Sequence, residues 1–265
     1  LKDNSITGTI PSDISSLENL QELELDDNDL EGEIPEFVTN VAACTADADS
    51  ASCTGLKSLT TLKLGENSRL SGTIPASIEF AESLHILHLG SDGSANQRLS
   101  GTIPAGVSAL PLKEIDLSRH PDLTGTFPTN MLAGVDQLFT KAVFSNCGIT
   151  GHLDELFTSI PAGYVRRHVQ TLDFQGNALS GTIPAIIGDF ESLTALQFEN
   201  NMFSGEIPLE IGSLHRVGEL NLANNNFDGE VPDLCSTPND DPNEATCMTN
   251  LNSIELEDNK LDGFF

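Results

Sequence analysis

The chain repeats itself, and no other feature restricts its fold as tightly. Aligning the Leu-x-x-Leu-x-Leu starts gives LQELELDDNDLEGEIP from Leu20, LTTLKLGENSRLSGTIP from Leu59 and LHILHLGSDGSANQRLSGTIP from Leu84. The series continues with LKEIDLSRHPDLTGTFP from Leu112, FTKAVFSNCGITGHL from Phe139 and VQTLDFQGNALSGTIP from Val169. LTALQFENNMFSGEIP from Leu193, VGELNLANNNFDGEVP from Val217 and LNSIELEDNKLDG from Leu251 complete it. With the partial copy LKDNSITGTIP at the start there are ten copies, and starts at 169, 193 and 217 fix a 24-residue unit. No copy of that length can bury its apolar side alone, so stability must come from stacking on neighbours. Residues 1–265 are therefore expected to form a single solenoid domain of about ten coils, with insertions near 38–58 and 233–250.

Each repeated position has a physical task. The period of two in Leu23-x-Leu25 puts both leucines on the inner face of a short strand and turns Glu22, Glu24 and Asp26 outward. Successive strands would stack in parallel about 4.8 Å apart, making a rod roughly 45–50 Å long. After the strand comes a column of Asn4, Asn28, Asn67, Asn177, Asn201, Asn225 and Asn259. A buried amide carries two donors and an acceptor, enough to satisfy the turn and link to the next coil. Cys147 and His120 interrupt the column and are expected to make fewer bonds. In Leu179-x-Gly181-x-Ile183-Pro184, Gly lets the chain bend, Ile fills the core and Pro ends the extended stretch. The segment that follows, such as AIIGDFES at 185–192, is short and weakly helical.

These residues resemble the plant-type leucine-rich-repeat family, in which SGTIP or SGEIP follows the Asn, and the GTIP wording is also similar to algal proteins of that type. The resemblance implies an α/β repeat solenoid, a right-handed superhelix with a concave parallel β-sheet. It further implies a short second sheet at the Gly-x-Ile-Pro segments and a 3₁₀ or helical convex side. Members resemble receptor ectodomains or secreted inhibitors that act by recognition. Leu1 and Phe264–Phe265 fall inside coils, and the family's cysteine-bearing caps are not visible, so a fragment of a longer protein is expected.

Charge narrows the partners. Forty Asp and Glu against 12 Lys and Arg leave a net charge of −28. Nucleic acid and anionic membrane surfaces, which need a basic footprint, are poor candidates. No apolar run is long enough to span a membrane, so any span would lie outside this segment. The charge is uneven: net −11 over residues 1–58, −2 over 59–168 and −15 over 169–265. The uneven charge reads either as ordinary solubility or as a middle relieved of negative charge for docking.

Three binding candidates follow. Outward strand positions read Glu24, Lys63, His88, Asp116, Val143, Asp173, Gln197, Asn221 and Glu255. Lys63, His88, Asp116, Arg119 and Lys141 among or beside them make a mixed-charge patch for a protein, peptide or glycan ligand, though without an aromatic anchor. Tyr164, Arg166, Arg167 and His168 form the second candidate. The third is the pair of insertions, whose cysteines Cys44 with Cys53 and Cys235 with Cys247 read as local disulfides rather than as a zinc set. That reading implies an oxidising compartment, hence a secreted, cell-surface or lumenal protein, and leaves Cys147 as a buried thiol. The acidic stretches Asp47-x-Asp49 and Asp240–Asp241 lack the pattern of a calcium loop and read as solvated.

Catalytic motifs are absent, so neither enzyme activity nor a cofactor is expected. Two further readings stay open, a structural or adhesion component of an extracellular assembly and an ice-binding face. The second would use the column Thr9, Glu33, Thr73, Thr102, Thr126, His152, Thr182, Glu206 and Glu230, in which Thr is interrupted by charge.

Overall fold

The structure is a computed structural model that describes residues 1–39, 44, 54–91, 98–128, 130–133, 135, 138–236 and 246–262. Nine three-residue strands form the first sheet: Glu22–Glu24, Thr61–Lys63, Ile86–His88, Glu114–Asp116, Lys141–Val143, Thr171–Asp173, Ala195–Gln197, Glu219–Asn221 and Ser253–Glu255. All neighbours run parallel and their order follows the chain. The middle residue of each strand and the residue two further on turn inward, so Leu87 and Leu89, Ile115 and Leu117, and Leu196 and Phe198 are fully buried. Leu23 and Leu25 pack on the same core but stay half-buried, because the strand Glu22–Glu24 is the edge of the sheet and has one covering neighbour.

A second parallel sheet of nine strands uses the stretch after the Asn column, as in Asn67–Thr73, Asp122–Thr126 and Met202–Glu206. Its strands are short, from three residues at Thr7–Thr9 to seven at Asn67–Thr73, and most take in the glycine of Gly-x-Ile-Pro. The glycine there is required twice. Gly125 has φ +88°, in the left-handed region, and a Cβ on it would sit 3.0 Å from the Thr102 methyl of the preceding coil. The following Ile is buried, as in Ile74, Ile103 and Ile183. Proline then fixes an extended φ, and a 3₁₀ turn begins, as at Ala76–Phe80 behind Pro75 and Ala185–Asp189 behind Pro184. Where GHLD replaces Gly-x-Ile-Pro, the chain instead forms α-helices at Leu153–Ser159 and Tyr164–His168.

The buried amide column locks coils together in the direction opposite to the expected one, toward the preceding coil. Asn67 Nδ2 donates to Leu64 O and Gly65 O of its own turn and to Leu25 O of the coil before, at 2.9–3.1 Å. Its Oδ1 accepts from Leu30 N, again in the coil before, at 3.1 Å. Asn201, Asn225 and Asn259 repeat the scheme. His120, fully buried, reproduces both links, with Nε2 2.9 Å from Leu89 O and Nδ1 accepting from Leu99 N at 3.3 Å. His120 makes fewer ring bonds than Asn67, as expected, yet keeps both links between coils because a neutral imidazole has one donor and one acceptor. The expectation of fewer bonds also holds for Cys147, whose thiol reaches Leu117 O at 3.2 Å and Ser145 O at 3.6 Å and receives no backbone N–H from the preceding coil among the described residues. The reason is Pro121, one extra residue in that coil. It lets Leu123 N bond His120 O, so no acceptor is needed from the next coil.

Candidate recognition surface

The first sheet carries one uncovered face, and its register confirms the outward column as a physical row. Glu24 stands opposite Lys63, Lys63 opposite His88, and His88 opposite Asp116. Val143 and Asp173, then Gln197, Asn221 and Glu255, extend the row.

Toward its first five strands the face holds its own counterions. Lys63 Nζ is 2.7 Å from Glu24, and Lys141 Nζ donates to Asp116 Oδ2 at 2.9 Å. His88 Nε2 lies 3.0 Å from Glu114 Oε2, yet the ring nitrogen is not aligned for a hydrogen bond with it. Burial raises the Asp116 carboxyl, but the Ser118 hydroxyl and the Lys141 ammonium outweigh it and hold the group below its ordinary value. Burial and then Lys141 push the His88 imidazole down, against Asp116 and Glu114, so His88 is held neutral. Thus Lys63, His88, Asp116 and Lys141 are brought together, but both lysines are engaged with acids of this chain. Arg119 sits apart, exposed on the turn at φ 62°, with no ion pair among the described residues.

The second candidate is divided. Arg166 is buried, with Nη1 2.9 Å from Asp189 and Nε donating to Ile160 O at 3.2 Å, so it fastens the helix Tyr164–His168 to the next coil. Arg167 is exposed and pairs with Glu191 at 3.1 Å. His168 ends the helix, half-buried.

Of the insertions, Cys44 and Cys235 are disulfide-bonded, and Cys235 faces Cys247 across a short antiparallel ladder. Cys53 and the stretches at Asp47, Asp49, Asp240 and Asp241 lie outside the described residues. Cys147 is free and buried, its thiol pushed up by burial to about 11. A thiol so hard to ionise is a poor nucleophile.

Sequence reasoning missed a cleft of about 330 Å³ between Phe127, Pro128 and Met131 on one side and the helix Leu153–Ser159 on the other, where His152 and Glu155 line a mixed polar and apolar wall. The loss of Gly-x-Ile-Pro in that copy was the available signal. It also missed that the residue before each column position is left-handed, including Asp27, Glu66, Arg119, Asn200 and Asn224. Among the described residues no group of three or more His, Cys, Asp or Glu could hold a metal ion, and no helix is long and apolar enough to cross a membrane.

A leucine-rich-repeat family model matches residues 19–41, 168–190, 192–214 and 217–237. No curated relative matches the chain. Among solved structures, the leucine-rich-repeat ectodomain of the Arabidopsis receptor kinase HAESA, in complex with an IDA peptide hormone ligand, is similar at 25% identity and TM-score 0.73. The match covers 98% of this chain and 37% of that one. The plant peptide hormone receptor RGFR1, in complex with RGF2, is similar at 25% identity and TM-score 0.61, over 98% of this chain and 43% of that one. A plant ice-binding protein is similar at 25% identity and TM-score 0.61, over 99% of this chain and 80% of that one. The chain therefore spans well under half the length of the two receptor ectodomains.

Proposed function

Because the chain is a leucine-rich-repeat solenoid of the plant type, we propose that it is an extracellular recognition module. It binds a protein or peptide partner across the first sheet and catalyses no reaction. The observation that carries this reading is the uncovered nine-strand face, whose outward side chains stand in continuous rows while the same strands are locked from inside. The bound peptides of the HAESA and RGFR1 structures support a peptide or protein as partner. Disulfide bonding at Cys44 and Cys235 supports an oxidising location outside the cytosol. A photo-crosslinking residue placed at Thr171 or Gln197, and separately at Ser108 on a 3₁₀ turn, tests the reading in the protein's native extracellular fluid. Crosslinks confined to Thr171 and Gln197 support it. Equal capture at Ser108 refutes it.

The second reading, ice binding, is favoured by the solved ice-binding relative, most of whose length is matched. Thr9, Thr73, Thr102, Thr126 and Thr182 stand exposed at one repeat position. Against it, four members of the column are Glu or His, and the Thr9, Thr73, Thr102 and Thr182 methyls are turned onto the next coil's glycine. Thermal hysteresis that disappears in Thr102→Lys would establish this second function; none at millimolar protein removes it.

A further inference from the structure

The last four strands of the first sheet, Thr171–Asp173 through Ser253–Glu255, present acids for which the chain supplies no cation. All 12 Lys and Arg lie among the described residues, and no ion pair reaches Asp173, Glu199, Glu219 or Glu255. Their polar partners are neutral, amides throughout and at Asp173 the Ser145 hydroxyl as well. Gln175 donates to Asp173 at 3.2 Å from its backbone, Gln197 to Glu219 at 3.3 Å, and Asn221 to Glu255 at 2.9 Å. An amide satisfies an oxygen lone pair but cancels no charge. One oxygen of Glu199, Oε2, is buried with no hydrogen-bond partner at all, a costly state for an ionised group. Glu199 also feels Asp173 on the neighbouring strand and Glu255 two strands away, so the acids add to the cost of its burial.

Resting on the proposed recognition across this sheet, we infer that its last four strands are the docking surface for a short, extended, basic segment of a partner polypeptide. Charge complementarity selects that occupant. Three strand spacings span roughly 14 Å, which an extended segment of about five residues crosses at roughly 3.3 Å per residue. Lysine or arginine at alternate positions of such a segment faces the sheet. They bring the exposed Glu219 and Glu255 the positive charge this chain does not supply, and charge-assisted bonds to carboxylates are stronger than the amide bonds already present.

Fluorescence anisotropy with labelled Lys-Ser-Lys-Ser-Lys, Ser-Ser-Ser-Ser-Ser and Glu-Ser-Glu-Ser-Glu peptides tests the inference on the whole chain. The basic peptide is expected to bind and the other two are not. The triple variant Glu199→Gln, Glu219→Gln, Glu255→Gln should weaken its binding at least tenfold. The charge-matched triple Glu18→Gln, Glu82→Gln, Glu230→Gln, exposed and off this sheet, should weaken it less than threefold. Equal weakening by the two triples would mean that the overall charge of −28 alone attracts the peptide, and the inference falls. No preference for the basic peptide overturns it too. Crosslinks from Thr171 to a natural partner, together with failure of the basic peptide, would sink this inference and leave the recognition reading standing.

Discussion

The two ends of the first sheet share one backbone, one register and one inward row of apolar residues, yet they treat negative charge in opposite ways. From Glu22–Glu24 to Lys141–Val143 the chain pairs Glu24 with Lys63 and Asp116 with Lys141, leaving Glu22 at the edge and Glu114 beside the neutral His88. From Thr171–Asp173 onward comparable acids meet neutral amides and a hydroxyl. The solenoid itself therefore demands nothing at these outward positions. What the fold dictates lies inside, in the amide column and the Gly-x-Ile-Pro corner, and the outer rows are free to carry recognition.

The comparison breaks most clearly through Lys141. Lys141→Met should destabilise the chain by roughly 2 kcal/mol, because it strands the half-buried Asp116 carboxylate without its counterion. It should also raise the His88 pKa, seen in the imidazole NMR titration, since the Lys141 charge is one of the forces holding that ring neutral. A melting temperature within error of the parent's would show that the pairing is ornamental. The reverse sign is expected at the other end. Asp173→Asn removes a carboxyl whose pKa is raised, chiefly by burial, and should stabilise the chain at pH 7 by up to about 1 kcal/mol in urea titrations. Destabilisation there would erase the contrast.

Acid sharpens it further. Asp173 and Glu199 have raised carboxyls, so the folded state takes up their protons first, and their contribution to stability grows as pH falls from neutrality toward about 4. Asp116 is depressed, so its contribution is complete above the unfolded value near 3.9 and is lost as pH falls through its lower folded value. His88 is depressed as well, so stability is lost as pH falls through the unfolded value near 6.5 toward its folded one. The double variant Asp173→Asn, Glu199→Gln should thus lose more stability between pH 7 and 4 than the parent, whereas Asp116→Asn should flatten the fall below pH 4. Melts across that range check both signs. The smallest effect is expected for Glu24→Gln, whose partly exposed pair with Lys63 contributes about 0.5 kcal/mol or less and fades in high salt.

Much of the interior was legible from residues alone. Leu-x-Leu, the Asn column and Gly-x-Ile-Pro recur at fixed offsets, and each has a stereochemical need that a sequence can reveal. His120 and Cys147 were legible as exceptions but not in their effect, since that depends on the bond between Leu123 N and His120 O that Pro121 allows. The rows of the outer face were legible too, down to which residues stand opposite. Their pairing was not. Lys141 passes over its direct opposite, Glu114, to reach Asp116, and Glu114 meets His88 on the other side. Long side chains choose partners across diagonals that spacing does not encode. Arg166 was read as a surface cation for the same reason, although a helix in place of a 3₁₀ turn buries it against Asp189.

Carbodiimide footprinting of the carboxylates, read by mass spectrometry on the free folded chain, measures the division between the two ends of the sheet directly. Fast modification of Glu219 and Glu255 beside slow modification of Glu114 and Asp116 is the predicted result, with the basic peptide slowing only the first pair. Modification at one uniform rate across both groups, untouched by the peptide, would contradict it.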